Sequence, residues 1–140
     1  MAEFECSSID QLIKEMQSLD LYDADTQEDV LNAEADVLIE EIQKGMNASQ
    51  FDLSKIARQV QKSKVTKSTV RSVTVTVRGK NERGERNATV AFVLNYGRRE
   101  ELGEIVGGYF WTSAVKKSEK PMLSAAEEVV ITKMKERGLM

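Results

Sequence analysis

The chain has 140 residues, 20 Lys and Arg against 23 Asp and Glu, and a formal net charge of −3, with 41% hydrophobic residues. It contains no His and one Cys, which excludes the commonest general base and zinc ligand, any intrachain disulfide and any cysteine metal cage. The length suits one core, no apolar run approaches the ~20 residues that cross a bilayer, and no secretory leader pattern opens the chain. The expectation is a single domain over 1–140, kept in a reducing compartment and without a membrane partner.

The mild total hides a strong asymmetry. Residues 1–52 carry 14 acids against Lys14 and Lys44, a net of −12, and residues 53–99 carry 12 bases against Glu82 and Glu85, a net of +10. The remaining 41 residues are almost neutral at −1. Such layouts point to charged partners or complementary faces.

In chain order, Ala2–Cys6 alternates weakly and suits a short edge strand. Ser8 and Gln11 form a capping-box pattern before Ile9, Leu12, Ile13, Met16 and Leu19, whose spacing predicts a helix over Ile9–Leu19. After a polar break, Asp25 or Thr26 can cap a longer helix that ends near Gly45. Its stripe carries Val37, Leu38 and Ile42, with Asp29, Asp36 and Glu40 mostly on the outer side. A shorter helical pattern covers Leu53–Gln61.

The period then changes. Val73, Val75 and Val77 alternate with Thr74, Thr76 and Arg78, a strand pattern. Gly79–Asn87 reads as a hairpin connection, and Val90, Phe92, Leu94 and Tyr96 as one core-facing side of a second strand. Both of its faces are apolar, which predicts the more central strand. Gly97–Gly108 reads as a loop or short helical turn. From Phe110 the helical period returns, with Pro121 kinking the helix or restarting it behind a Ser118 cap, and Gly138 closing it. The predicted class is α+β: an antiparallel, hairpin-based sheet packed against N-terminal and C-terminal amphipathic helices. A mainly helical acidic part covers 1–63, and the hairpin with the C-terminal helix covers 64–140.

Little in the chain suggests catalysis. Glu40 with Glu41, and Glu100, Glu101 and Glu104, are carboxylate pairs on solvated surfaces, and Cys6 lacks an activating His and reads as a small buried apolar residue. Gly103, Gly107 and Gly108 lack the companions of a phosphate loop. Two Asn-X-Ser/Thr sites, at Asn47 and Asn87, are chance matches in a chain without a leader. No catalytic, cofactor or metal site is expected, and the protein is not expected to be an enzyme. The stronger signal is the basic middle: Arg78, Lys80, Arg83 and Arg86 decorate the hairpin loop, with Phe92 and Tyr96 at core positions rather than interleaved as stacking platforms.

Asn95-Tyr96-Gly97, a charged loop to Gly107-Gly108, and then Tyr109-Phe110-Trp111-Thr112-Ser113-Ala114 lead into an amphipathic helix over Met122–Arg137. This block resembles the neck and tail-component proteins of long-tailed bacteriophages and prophages: head–tail joining, tail-completion or tail-terminator types. The resemblance covers residues 64–140; where the family often has Thr-Gly, Thr66-Lys67-Ser68 stands here. It implies a structural virion protein assembled in the host bacterial cytoplasm as a homo-oligomeric ring. Its implied partners are its own copies, a connector or portal-side protein and a tail-tube protein, with viral DNA passing through the lumen. On the charge map, Asp29, Asp36 and Glu40 offer an acidic face, Arg78, Lys80, Arg83 and Arg86 a basic one, and Phe110 and Trp111 an anchor against the sheet or a neighbour. The alternative is a small nucleic-acid-binding module using the same basic hairpin. Reversing Arg83 and Arg86 to Glu is expected to weaken self-association in a sizing experiment; unchanged assembly removes the loop from the contact.

Overall fold

The computed structural model describes Gln11, Lys14 and residues 23–67, 71–100 and 103–138, with backbone alone at 98–100 and 103–105. The fold is α+β, built on two long helices. Gln11 and Lys14 are helical; the rest of the helix expected over Ile9–Leu19, the edge strand at Ala2–Cys6 and the Ser8 cap lie outside the described residues.

Helix α1, Ala24–Ala48, starts at Asp23, whose carboxylate accepts the Thr26 N–H at 2.9 Å. The cap therefore falls before the expected Asp25 or Thr26. Thr26, whose N–H the carboxylate accepts, and the Arg137 guanidinium hold the Asp23 carboxyl well below the usual carboxylate range. Helix α4, Phe110–Glu136, runs antiparallel to α1. Arg137 just beyond its end pairs with Asp23 at the start of α1, and Lys133 reaches Asp29 at 2.8 Å. At the opposite end Gly45 lies against the first turn of α4, where a Cβ would stand 3.0 Å from the Phe110 carbonyl oxygen.

The buried residues of α4 recur every fourth position: Phe110, Ala114, Ser118, Met122, Ala126 and Val130. Four residues advance about 400°, so this row drifts by about 40° at each step. One end therefore serves the main core, where Phe110 and Ala114 meet Ile42, Met46, Leu53 and Val77. The other serves a separate small cluster of Val130 with Val30 and Met134. Pro121 neither restarts nor ends α4, which runs on through it as one helix. Pro121 is exposed, and Ser118 is buried with its hydroxyl donating to the Val115 carbonyl at 2.7 Å rather than capping. Gly138 closes the helix as expected, at φ +70° with its N–H on the Lys135 carbonyl at 3.2 Å.

Between the long helices the chain corrects four expectations. The helix read over Leu53–Gln61 is only α2, Ser54–Ala57, and the chain then turns into strand β1, Val60–Lys62. The expected strand around Val75 exists as β4, Val75–Val77, but its antiparallel partner is β1, in register Val60↔Val77 and Lys62↔Val75. The pairing resumes between β2, Thr66–Lys67, and β3, Arg71–Ser72, with Thr66 opposite Ser72. Between the Ser63–Thr74 contact and the Thr66–Ser72 pair, the first strand advances three residues against two. That extra residue is a bulge-type offset, which increases local twist.

The segment expected as the second hairpin strand is helix α3, Asn87–Tyr96. Nearly every position from Ala88 to Tyr96 is apolar, so alternation and helical spacing fit equally well. Ala88, Ala91 and Asn95 supply a narrow inward face at helical spacing, and alanine favours the helix. Phe92 and Tyr96, expected in the core, consequently point outward. The expected loop over Gly97–Gly108 contains a hairpin of β5, Gly97–Glu100, and β6, Gly103–Val106.

Asn95 joins α3 to α4. It is buried, its Oδ1 accepts the Trp111 N–H at 2.9 Å, and its Nδ2 donates to the Thr112 hydroxyl at 3.1 Å. Gly107 passes so close that a Cβ there would lie 2.5 Å from the Asn95 carbonyl oxygen. Replacing Asn95 by Ala leaves a buried N–H unpaired and removes a helix cap, an expected loss of about 2–3 kcal/mol in chemical denaturation. Asn95→Asp keeps the acceptor and is expected to lose less; equal losses would show that the cap contributes nothing.

Candidate functional site

Strand β4 and Trp111 form a partition between two cavities, each of about 350 Å³. Trp111 stands at the start of α4, positioned by its backbone bond to Asn95 and by the left-handed turn at Tyr109. On one side of it, Val75, Val77 and Ala91 form the floor of a cavity whose rim is Phe92 and Tyr96. The rim continues as an aromatic string: Phe92 and Tyr96 have ring centroids 4.8 Å apart, and Tyr96 meets Tyr109 edge-on at 6.4 Å. These three side chains are 64%, 52% and 51% exposed.

On the other side of Trp111, Leu31, Leu38, Val73, Val115 and Met122 enclose a cavity that also contains Glu34. Glu34 is half-buried, with no ion pair or hydrogen bond among the described residues. Burial pushes its pKa up to about 7, because apolar walls disfavour the charged form. Such a site can take an apolar group together with either a cation or a hydrogen-bond acceptor, depending on whether Glu34 is ionised. No group of three His, Cys, Asp or Glu among the described residues is placed to hold a metal ion, and no described helix is long and apolar enough to cross a membrane.

The basic loop between β4 and α3 is built around Asn81. Its Oδ1 accepts the N–H groups of Arg83 at 3.0 Å and Glu85 at 2.9 Å, and its own N–H donates to the Glu85 carbonyl at 2.8 Å. Gly84 takes φ +80° at the tip, and Lys80 and Arg86 pair as an antiparallel bridge. Arg78, Lys80, Arg83 and Arg86 are all exposed and have no ion pair among the described residues. The two acids of the loop are engaged: Glu82 with Lys55 at 3.5 Å and Glu85 with the Asn81 amide at 3.3 Å.

The other residues singled out by sequence fall elsewhere. Asp29, Asp36 and Glu40 lie exposed along α1, and each holds a cation of its own chain: Lys133 at 2.8 Å, Lys62 at 2.7 Å and Lys44 at 3.2 Å. Phe110 is buried in the main core, and Trp111 packs half-buried against it. The sequence reading overlooked Glu34 and the Phe92–Tyr96–Tyr109 string. Glu34 had a visible signal, an acid three residues after Leu31 and four before Leu38, inside the apolar stripe. The string had none, because it depends on α3 being a helix. Compared with known proteins, the chain matches no family, no curated protein and no solved structure.

Glu34 links stability to pH. Its folded pKa lies above the ordinary 4.5, so ionisation opposes folding increasingly between about pH 4.5 and 7, and fully above 7. Glu34→Gln is therefore expected to stabilise the protein at pH 8 by about 1–3 kcal/mol and to change little at pH 4. Thermal unfolding of both proteins at the two pH values checks this, and an equal effect at both would show that Glu34 does not titrate between them.

Proposed function

We propose that this protein is a structural subunit that assembles with its own copies into a ring, as a head–tail joining, tail-completion or tail-terminator component of a tailed-phage or prophage virion. The assembly half of the proposal rests on α3. A helix as apolar as α3 belongs inside a larger body, yet α3 packs its Ala88, Ala91, Leu94 and Asn95 side against the core and leaves Phe92 and Tyr96 in the open. The exposed string extends onto Tyr109, so the uncovered surface is contiguous with the start of α4. Contiguous exposed apolar surface of this kind marks interaction sites. The virion half rests on the resemblance of the Asn95-to-Ala114 block, in which Tyr96-Gly97 ends a helix where that family has a strand.

The charge distribution agrees with a head-to-tail contact. The acidic helix takes cations of its own chain, Lys62 and Lys67 from the basic approach on Asp36 and Glu28, and Lys133 from α4 on Asp29. The cations of the basic loop have no ion pair among the described residues and are available to an acidic surface of a neighbour or to DNA in a lumen. A second reading, a nucleic-acid-binding module, draws on those same unpaired cations and on nothing else in the structure.

Sedimentation at moderate salt is expected to find a species at a multiple of 15.7 kDa. Phe92→Glu with Tyr96→Glu is expected to return it to the subunit mass with a folding stability altered by only about 0.5 kcal/mol, as for other exposed positions. A wild-type chain that stays a monomer at high concentration, and retards DNA with a steep salt dependence, would replace this reading with the nucleic-acid one. A portal, a capsid and a tail-tube gene beside this one would fix its place in a virion.

A further inference from the structure

The contact between copies can be taken to particular side chains, an inference that rests on the assembly reading above. Along α1, Glu28, Asp29, Asp36, Glu40 and Glu41 each hold a lysine of the same chain. Glu34 holds none, although it stands in a largely apolar cavity. No Lys or Arg is among the residues that line its cavity, and Arg71, on the neighbouring β3, is bonded to Gln27 at 3.0 Å. We propose that this cavity receives Arg83 from the basic loop of a second copy, with the guanidinium on the Glu34 carboxylate and against the indole of Trp111.

Four observations support that occupant over others. A carboxylate between Leu31, Leu38, Val73 and Val115 needs a counterion to stay charged. An arginine brings an apolar stem for the walls, a planar cation that stacks on an aromatic face and spare N–H donors for the Thr74 and Thr76 hydroxyls. The loop presents its cations unpaired, on a tip that Asn81 has already ordered, so little entropy is lost on docking. Finally, donor and acceptor cannot meet within one subunit as it is folded. The groove beside the loop is lined by Lys55, Gln59 and the far face of α3, and shares no residue with the Glu34 cavity. A surface that carries the donor in one place and the acceptor in another joins copies head to tail, the arrangement that closes rings. The Glu34 cavity and the Phe92–Tyr96 cavity also share Val75, Thr76 and Trp111, so a neighbour covering α3 is already beside Glu34.

Trp111 is the single tryptophan of the chain, so its fluorescence reports filling of this cavity directly. In a concentration series of the full chain at pH 8, the Trp111 signal is expected to change in step with the sedimenting mass. Glu34→Gln and Arg83→Ala are each expected to weaken self-association about thirtyfold or more, as for the loss of one partner of a buried charge pair. Glu34→Gln should do so while raising the melting temperature of the subunit, a combination that misfolding would not give. Glu34→Arg combined with Arg83→Glu in one chain is expected to recover assembly. Wild-type association by Glu34→Gln overturns the proposal and leaves the assembly reading standing. Normal association by Arg83→Ala, with Trp111 of the monomer responding to free arginine amide, overturns it in favour of a small-cation site. A wild-type chain that never associates overturns the assembly reading itself.

Discussion

Everything else in this fold is laid on the antiparallel contact of its two long helices, and that contact is fixed at both ends. At one end the absence of a side chain at Gly45 lets α1 approach the Phe110 carbonyl and Ala114. The same first turn of α4 is capped by Asn95 from α3, so the close approach, the cap and the seat of Trp111 are one construction. At the other end Asp23 accepts the Thr26 N–H and binds Arg137, tying the beginning of α1 to the end of α4. The strands between them form two-stranded ladders, which are marginal in isolation. Their stability comes from Val60 and Val77 entering the core that the helices have already enclosed.

The strong charge asymmetry along the sequence becomes mostly internal once the chain folds. Lys62 and Lys67, from the basic approach, return to Asp36 and Glu28 on the acidic helix, and Lys133 from α4 reaches Asp29. These pairs are exposed and individually weak, worth at most about 1 kcal/mol each. Their larger effect is on register: the hairpin lies along α1 with like charges kept apart. Folding therefore divides the basic block in two. In its first part Lys55, Lys62 and Lys67 are matched within the chain, while the cations from Arg78 to Arg86 have no ion pair among the described residues.

The sequence carried the two helices, the Val75 strand and the Gly138 closure plainly, because each rests on a local signal: a single period, a β-branched run, a glycine at a helix end. It misplaced what depends on contacts between distant segments. Val90 to Tyr96 satisfies a two-residue and a helical period together, and only the inward fit of Ala91 and Asn95 against β4 and α4 decides for the helix. Once that segment left the sheet, β4 needed another partner, and Val60–Lys62 was too short to stand out inside a helical pattern. The candidate site divides in the same way. The basic loop was legible from its composition, and Glu34 was legible as an acid in an apolar stripe. The aromatic string was hidden, since Phe92 and Tyr96 sit on opposite faces of neither a strand nor a buried helix but on the outward side of α3.

A sequence that specifies one fold usually agrees with itself at every level, and the exceptions cluster where function is served. Three exceptions stand out here: an apolar helix half uncovered, a carboxylate enclosed without a counterion, and a set of arginines displayed without acids. Each is unfavourable, or at best indifferent, for the isolated subunit. In the chain as folded the donors and the carboxylate stay apart, since the groove beside the loop and the Glu34 cavity share no lining residue. The three exceptions are nevertheless complementary in kind, one lacking a cation, one lacking an anion and one lacking apolar cover. In the proposed assembly a second copy of the same surface would supply all three together, and the two cavities, which share Val75, Thr76 and Trp111, set two of those demands side by side.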